Sequence, residues 1–290
     1  MALKYQVLIP VKNGMPYLAE AVYSILRSKG LNEIPIQLEV HISDAGSKDG
    51  TIDFLRSIES LPGIKVHLQE SISREENWNF VSSFASGDFV RLLCADDRIT
   101  EFSISNSVIS FLTNSRVNVV CGKRNIINDE GNVVLEYYGT KDSKMKNPIP
   151  GRQLLKKSLL AGTNILGEPS NVTFRTKTFS NALPWSDEYP YCLDLSLYIK
   201  VLGNELVLLE DSLHSEFRVH RKSLSHEMFW EQSRQYIAFT RKNYGLGTVD
   251  LKKSELILSH LRAVIINLKR VIFYLIFLDN KFSFLRRFIK

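Results

Sequence analysis

Two adjacent carboxylates follow a predicted buried strand, and the chemistry of the sequence is organised around them. Phe89, Val90 and Leu92 are typical of a strand covered on both faces, and Asp96 and Asp97 follow where that strand should end. Open α/β folds bind ligands at the carboxyl ends of their strands. Two neighbouring carboxylates repel each other unless a cation is shared between them, so the pair predicts a divalent metal site. The alternative is a polar strand end that only caps the helix predicted from residue 100.

The elements that must position this pair alternate between strands and helices over the first hundred residues. The strands are predicted at 6–11, 37–42, 64–68 and 89–93. This alternation predicts an α/β fold with a mainly parallel sheet and helices on both faces. Asn13 and Asp44 follow the first two strands and should meet Asp96 at one edge, in a site large enough for a nucleotide. Because neither G-x-G-x-x-G nor a P-loop follows the first strand, Rossmann-type and P-loop nucleotide binding are disfavoured.

The second part of the sequence is less regular. Residues 117–121, 169–175, 206–209 and 216–220 are predicted strands, and 129–132 is a predicted hairpin turn. Helices are predicted at 151–160 and 191–202, with an exposed loop at 141–150 and a basic helical region from Ser225 onward. We therefore divide the chain into a domain of residues 1–224, with halves 1–100 and 101–224, and a C-terminal helical region of residues 225–290.

Charge is concentrated at the C-terminus. The net charge of the 290 residues is +6, but residues 221–290 carry 14 Lys/Arg against 5 Asp/Glu, whereas residues 1–220 carry 23 against 26. Basic residues interleaved with long aliphatic stretches favour an anionic phospholipid surface over nucleic acid as the partner of residues 250–290. Charged residues interrupt the apolar stretch at 256–278, so we expect helices that lie on a membrane or dock on the domain and do not cross a bilayer.

Cysteine usage and the N-terminus indicate the compartment. Cys94, Cys121 and Cys192 are an odd number without metal-ligand spacing, which favours a reducing environment and argues against a disulfide framework or a zinc site. The sequence runs from Met1 directly into a strand, with no visible signal peptide. We expect a cytoplasmic protein.

Five motifs follow one another along the chain: V-L-I-P-V-K-N at 7–13, D-A-G-S-K-D-G-T at 44–51, N-W-N at 77–79 with L-C-A-D-D at 93–97, L-D at 193–194, and F-R-V-H at 217–220. Taken in order, they resemble the motifs of the family 2 glycosyltransferases, which have the GT-A fold, and of bacterial surface-polysaccharide enzymes in particular. The resemblance covers roughly residues 5–226.

The resemblance implies an inverting transfer of a sugar from a nucleotide-sugar, UDP- or dTDP-linked, to a hydroxyl of a lipid-linked or polysaccharide acceptor. It implies Asp194 as the general base that deprotonates this hydroxyl. Asp97, with His220 as a further ligand, would hold Mg²⁺ or Mn²⁺. Nucleotide-sugar contacts would come from Pro10, Val11, Asn13, Asp44, Arg74 and Asp96, the last of which would touch the ribose or the metal. Trp185 and Tyr189 could stack on an acceptor sugar.

The sequence departs from the family pattern at three positions. Cys94 and Ala45 stand where many members carry aspartate, and Leu193 replaces the glutamate of the usual E-D pair. The last change puts the choice of base in doubt, because Asp187 or Glu188 could serve in place of Asp194. Both lie on a proline-flanked loop, and we rank them below Asp194.

Two other functions remain open at this stage. One is a non-catalytic sugar- or nucleotide-binding module of the same fold, although a binding module has no need of a base. The other is a sugar-nucleotide nucleotidyltransferase, which would require a loop rich in glycine and arginine after the first strand. Residues 12–15 read Lys-Asn-Gly-Met and do not provide one.

Overall fold

The structure is a computed structural model and describes residues 2–139, 147–203, 205–223, 228 and 230–277. Ten strands form one sheet. In chain order they are β1 (Leu3–Val11), β2 (Ile36–Asp44), β3 (Ile64–Leu68), β4 (Phe89–Leu92), β5 (Arg98–Ile99), β6 (Val117–Ile127), β7 (Val133–Tyr138), β8 (Ile149–Pro150), β9 (Val172–Arg175) and β10 (Leu206–Arg218).

The helices flank this sheet, and the last two form the C-terminal region. They are α1 (Tyr17–Leu26), α2 (Thr51–Ile58), α3 (Arg74–Ser82), α4 (Ser103–Thr113), α5 (Gly151–Ala161), α6 (Thr176–Ala182), α7 (Leu193–Leu202), α8 (Gln232–Gly245) and α9 (Lys253–Phe277). Short 3₁₀ helices lie at Leu31–Glu33, Pro169–Asn171 and Pro190–Cys192.

The strand order is β3-β2-β1-β4-β9-β6-β10-β5. The first four strands are parallel, as the alternation of strands and helices predicts. Strand β9 pairs antiparallel with both β4 and β6 and thereby joins this block to the parallel pair β6 and β10. The predicted α/β fold with a mainly parallel sheet and flanking helices is confirmed.

Apolar side chains on the two faces of the sheet supply two core clusters. Val7 and Ile9 belong to one cluster, with residues of α1 and α4, whereas Leu8 belongs to the other, with residues of α5 and α7. This division follows from the strand geometry, because successive side chains of a strand point to opposite faces. Burial on both faces explains why β1 reads as a continuous apolar run.

Two predictions about strands are wrong. Residues 206–209 and 216–220 were predicted as separate strands, but β10 is one strand, with register shifts relative to β6 in its middle. Register shifts of this kind bend a strand and break its alternation, and for this reason the polar middle of β10 does not show a strand pattern in the sequence. Residues 169–171 are a 3₁₀ helix, so β9 begins only at Val172.

The C-terminal helices pack on the second half of the domain. The hydroxyls of Tyr236 on α8 and Ser259 on α9 both donate to the carbonyl oxygen of Leu159, at 2.9 and 2.6 Å. In α9, Leu256 and Ala263 are buried in the same cluster as α5 and α7. Among the described residues, none of the helices combines the length and apolarity needed to cross a bilayer. Parts of three predictions lie outside the described residues: positions 141–146 of the predicted loop at 141–150, the start of the C-terminal region at 225–227, and its basic end at 278–290.

Candidate active site

A cavity of about 1210 Å³ lies where the carboxyl ends of β1, β2 and β4 face the C-terminal helices. Its walls include the loop after β1, the turn after β4, the start of α7, and part of α9. Of the predicted site residues, the cavity brings together Pro10, Val11, Asn13, Arg74, Asp96, Asp194 and His220.

The loops after β1 and β2 are held together by side-chain hydrogen bonds. Strand pairing places Val11 beside Asp44, so the two loops start side by side. The amide of Asn13 donates to the Ser47 hydroxyl at 2.6 Å, and the Asn13 side-chain oxygen accepts from the amide of Lys48 at 2.8 Å. Asn13 adopts a left-handed backbone conformation with φ of 53°, which asparagine tolerates better than most residues. Together these contacts fix the wall on which we expect the nucleotide base and ribose to bind.

Asp44 lies beneath this wall. It is fully buried, and its carboxylate accepts hydrogen bonds from the amides of Gly46 and Ser47, at 3.0 and 2.9 Å, and from the Ser47 hydroxyl. Asp44 does not line the cavity. Its contact with a nucleotide base stays a prediction, while its observed contacts shape the loop that carries Ser47.

Asn77 is a site residue to which sequence analysis assigned no role. Its side-chain amide donates to the carbonyl oxygens of Val11 and Ser43, at 3.2 and 3.0 Å, and its side-chain oxygen accepts from the Ser43 hydroxyl at 2.6 Å. The buried side chain of Asn77 on α3 therefore provides hydrogen-bond donors for backbone carbonyl oxygens at the ends of β1 and β2. The place of Asn77 in the N-W-N motif is the sequence signal from which its role could have been predicted.

Asp96 and Asp97 face different surroundings. Asp96 lines the cavity, and its carboxylate lies 3.0 Å from Nε2 of His220. Asp97 is fully buried, and its two oxygens accept hydrogen bonds from the Ser170 hydroxyl at 2.6 Å and the Arg218 amide at 2.9 Å. Burial, with the charges of Asp96 and Glu168, raises the pKa of Asp97 well above its usual range. The carboxylate that faces the cavity is therefore Asp96, although the sequence favoured Asp97 as the metal ligand.

Arg218 holds the turn that carries this pair. Its guanidinium is fully buried and donates to the backbone carbonyls of Asp96, Asn128 and Asp129, at distances of 2.9 to 3.1 Å. It also pairs with Glu20 at 2.5 Å and lies 4.6 Å from the ring centre of Tyr17. The sequence pointed to Arg218 only as part of the F-R-V-H motif, and its position beneath the turn is visible only in the fold.

The donor atoms around the turn suit a hard divalent cation. Cys94 Sγ and the carboxylates of Asp96 and Asp97 lie within 4.8 Å of one another. Burial raises the pKa of the Cys94 thiol well above its usual value, so the sulfur stays protonated. A protonated thiol is a poor ligand for Mg²⁺ or Mn²⁺, whereas the carboxylate of Asp96 and the imidazole of His220 at the cavity wall are suitable for Mn²⁺. A divalent cation bound here would offset the repulsion between the neighbouring carboxylates.

Asp194 also lines the cavity, in the first turn of α7. Its carboxylate accepts hydrogen bonds from the side chain of Asn164 and from the amide of Leu195, the latter at 2.7 Å. Burial is the main cause that raises the pKa of Asp194 to about 6; these hydrogen bonds oppose the rise, and Glu168 adds to it. A carboxylate with a pKa near 6 is a stronger base than an ordinary aspartate and is still ionised at neutral pH.

The two alternative candidates for the base, Asp187 and Glu188, each form an ion pair with a basic side chain. Asp187 forms an ion pair with Arg74, whose guanidinium also donates to the Pro190 carbonyl at 3.3 Å. Glu188 accepts from Lys242 at 2.7 Å, in an exposed pair. Neither carboxylate lines the cavity. Arg74 does line it, so the prediction that it contacts a nucleotide stays open.

The predicted stacking role of Trp185 is wrong. The ring is 1% exposed, its Nε1 donates to the Ser82 hydroxyl at 2.9 Å, and it packs edge-on against Trp78 with ring centres 5.0 Å apart. Trp185 is therefore part of the core. Tyr189 also lies outside the cavity lining and packs against Phe239 of α8. Aromatic residues that do line the cavity include Tyr17, Trp78, Tyr191, Tyr236, Phe273 and Tyr274.

Comparison with family models gives one match, to the family described as glycosyl transferase family 2, over residues 6–171. These residues are more than half of the chain and include β1 to β8, the turn at Asp96 and Asp97, and Ser170. No curated protein sequence matches the chain.

Solved structures of glycosyltransferases share the fold at low sequence identity. The structure of S. aureus TarS 1-349 with UDP superposes with a TM-score of 0.61 at 17% identity, covering 90% of this chain and 71% of that one. TarS 1-349 with UDP-GlcNAc gives 0.61 at 18%, covering 90% and 72%. The mannosyltransferase PcManGT from Pyrobaculum calidifontis with GDP-Man and Mn²⁺ gives 0.58 at 14%, covering 94% and 75%. These likenesses show the GT-A fold that the sequence motifs predicted.

Proposed function

The chain belongs to glycosyl transferase family 2, and on that premise we propose that it transfers a sugar from a nucleotide-sugar to an acceptor hydroxyl with inversion at the anomeric carbon. The observation that carries this proposal is the position of Asp194. A carboxylate of raised basicity faces the same cavity as the Asp96–His220 pair and the loop after β1. A base opposite a nucleotide wall is what an inverting transfer needs.

The chemistry requires one displacement. Asp194 takes the proton from the acceptor hydroxyl, and the hydroxyl oxygen forms a bond to the anomeric carbon as the bond from that carbon to the diphosphate oxygen breaks. The nucleoside diphosphate leaves with the bonding electron pair. Because attack and departure occur on opposite faces of the sugar, one carboxylate suffices and no covalent sugar intermediate is needed. Asn164 holds the Asp194 carboxylate in place through its side-chain amide.

The loops after β1 and β2 would bind the nucleoside diphosphate. Pro10, Val11 and Asn13 line this end of the cavity with backbone and amide groups, and Lys12 and Lys48 bring positive charge beside them. Structural neighbours bound to UDP, UDP-GlcNAc and GDP-Man support a nucleoside-diphosphate donor. Within this class we favour a UDP- or dTDP-linked sugar.

Mg²⁺ or Mn²⁺ would be held by Asp96 and His220 at the cavity wall, with Asp97 as the supporting carboxylate beneath them. A cation there would neutralise the charge that develops on the departing diphosphate. The Mn²⁺ bound by the mannosyltransferase neighbour supports a metal in this fold. We propose Asp96 as the ligand at the cavity wall because both Asp97 oxygens accept hydrogen bonds from Ser170 and Arg218. The sequence-based assignment of Asp97 as a metal ligand stays a prediction.

The acceptor is proposed to be a glycan hydroxyl, on a polysaccharide or on a polyprenyl-diphosphate-linked sugar at the cytoplasmic membrane face. Support comes from the basic C-terminal region, whose helix α9 lines the cavity near Asp194 with Lys269, Arg270 and Phe273. Aromatic and cationic groups together suit a sugar that carries an anionic group.

A donor screen tests the proposal. Purified full-length protein with Mn²⁺ or Mg²⁺ is incubated with UDP-, dTDP- and GDP-sugars, and thermal shift and release of nucleoside diphosphate are measured. We expect one donor to be bound and slowly hydrolysed, and Asp194→Asn to retain binding while losing hydrolysis. If binding occurs but wild type and variant hydrolyse equally little, the chain is a binding module. If no donor binds, the transferase proposal fails.

A further inference from the structure

Helix α9 has two apolar faces, and only one of them is covered. One face packs on α5 and α8 through residues that include Leu256, Ser259 and Ala263. The opposite face is apolar and exposed, with each side chain 41–58% accessible: Ile257, Leu258, Leu261, Val264, Ile265, Leu268 and Ile272. At 100° per residue these seven positions fall within an arc of about 120°, a continuous apolar stripe along most of the helix. Contiguous exposed apolar surface of this kind marks a binding surface.

Positive charge borders this stripe. Arg262 and Lys269 lie along one edge, and Lys252 and Lys253 are exposed at the start of the helix. The helix sequence contains one acidic residue, Glu255, which pairs with Lys156 at 3.1 Å. An apolar stripe edged by cations matches the interface of an anionic bilayer, because long basic side chains extend to the phosphates while the stripe enters the acyl region.

The same helix reaches the acceptor end of the cavity. Arg270 donates to the hydroxyl of Thr163 at 2.6 Å, to the side-chain oxygen of Gln232 at 3.1 Å, and to the hydroxyl of Tyr191. All three partners are neutral, so among the described residues none of these hydrogen bonds compensates the charge of this half-buried guanidinium. An anionic group on the acceptor would supply the missing negative charge.

We propose that α9 is an interfacial helix: its exposed stripe lies in the headgroup region of an anionic bilayer, and its opposite face presents Arg270 to a phosphate of an amphiphilic acceptor. The acceptor part rests on the proposed transferase function, whereas the docking surface does not. Because both features are on one helix, docking on the bilayer brings the acceptor end of the cavity close to the membrane surface.

Vesicle flotation of the full-length protein tests the docking surface. The vesicles contain phosphatidylcholine alone or phosphatidylcholine with phosphatidylglycerol. We expect wild type to float with the anionic vesicles and less at high salt. The double substitution Leu261→Gln/Leu268→Gln should weaken binding to the anionic vesicles at least about tenfold, because it replaces two apolar side chains of the stripe with polar ones. The matched control is Ile109→Gln/Leu112→Gln on α4, whose side chains are 47% and 53% exposed away from α9, and it should bind like wild type.

Three results would overturn the proposal. Wild type that does not float with anionic vesicles rules out the bilayer as the partner. Equal loss of binding in the α4 control shows that exposed apolar residues act without a specific surface. A dimer in sedimentation velocity that the α9 double variant abolishes, without vesicle binding, assigns the stripe to a second copy of the chain. Hydrolysis of the donor by wild type in solution is measured separately, so failure of docking is distinguishable from failure of the transferase function.

Discussion

Replacing Asp194 with asparagine is expected to remove transfer and, at neutral pH, to make the protein more stable. Asparagine has nearly the same shape, and its single side-chain oxygen can accept from either Asn164 or the Leu195 amide but not from both, so one of the two hydrogen bonds is lost. The change therefore removes the base and its charge while keeping the packing at the start of α7. General-base catalysis contributes typically about 10²–10⁴-fold, so kcat should fall by that factor with little change in donor KM.

The stability gain follows from the raised pKa. Burial raises the pKa of Asp194 from 3.8 to about 6 in the folded protein, so ionising this side chain above pH 6 opposes folding. A difference of one in pKa corresponds to about 1.4 kcal/mol, and the full rise corresponds to at most about 3 kcal/mol. At pH 8 the asparagine variant should gain up to that amount in free energy of unfolding. The gain should shrink as the pH falls from 6 to 4, because wild-type Asp194 then becomes neutral.

Two assays check this prediction. Nucleotide release is followed from pH 5 to 8.5, and wild type should lose kcat/KM below a pKa near 6 as the base becomes protonated. Urea unfolding at pH 8 and pH 4 measures the stability of both proteins. The matched controls are Asp187→Asn and Glu188→Gln, which alter the rival carboxylates, neither of which lines the cavity. If either control loses 10²-fold or more in kcat while Asp194→Asn retains activity, our assignment of the base is wrong. A stability gain of Asp194→Asn over wild type that is no larger at pH 8 than at pH 4 contradicts the proposed cause of the pKa shift.

Three further predictions concern Asp96, Arg218 and Asn77. Asp96→Asn should raise the Mn²⁺ concentration for half-maximal turnover by roughly 10–100-fold, and an unchanged Mn²⁺ titration would refute its role as a ligand. Arg218→Met should cost about 3 kcal/mol in urea unfolding, because three carbonyls and Glu20 lose a buried partner; Arg234→Met, which breaks the exposed pair with Glu231, should cost less than about 1 kcal/mol. Asn77→Leu should leave the carbonyl oxygens of Val11 and Ser43, at the ends of β1 and β2, without this hydrogen-bond donor. Binding of the nucleotide-sugar, measured by calorimetry, should then weaken. An unaltered affinity for the nucleotide-sugar would show that the ends of β1 and β2 do not depend on Asn77.

Much of the fold was predictable because it depends on local pattern. The alternation of strands and helices in residues 1–100 predicted the parallel block β3-β2-β1-β4, and β3 occupies the predicted residues 64–68. Helix α7 begins within two residues of its predicted start and carries Asp194 in its first turn. Strand β10 was missed as one element because its polar centre is irregular, and periodicity is the only strand signal that a single sequence offers.

The sequence by itself determined which residue types meet at the sheet edge, because the carboxyl ends of parallel strands always share an edge. Only the tertiary structure decided what each side chain does there. Of two adjacent aspartates, Asp97 turns inward because Ser170 and Arg218, from distant parts of the chain, supply its hydrogen bonds, and this leaves Asp96 to face the cavity. Trp185 lies in the core because Trp78 and Phe179 enclose its ring. Burial, partner choice and pKa depend on contacts between residues far apart in sequence, and no local pattern records those contacts.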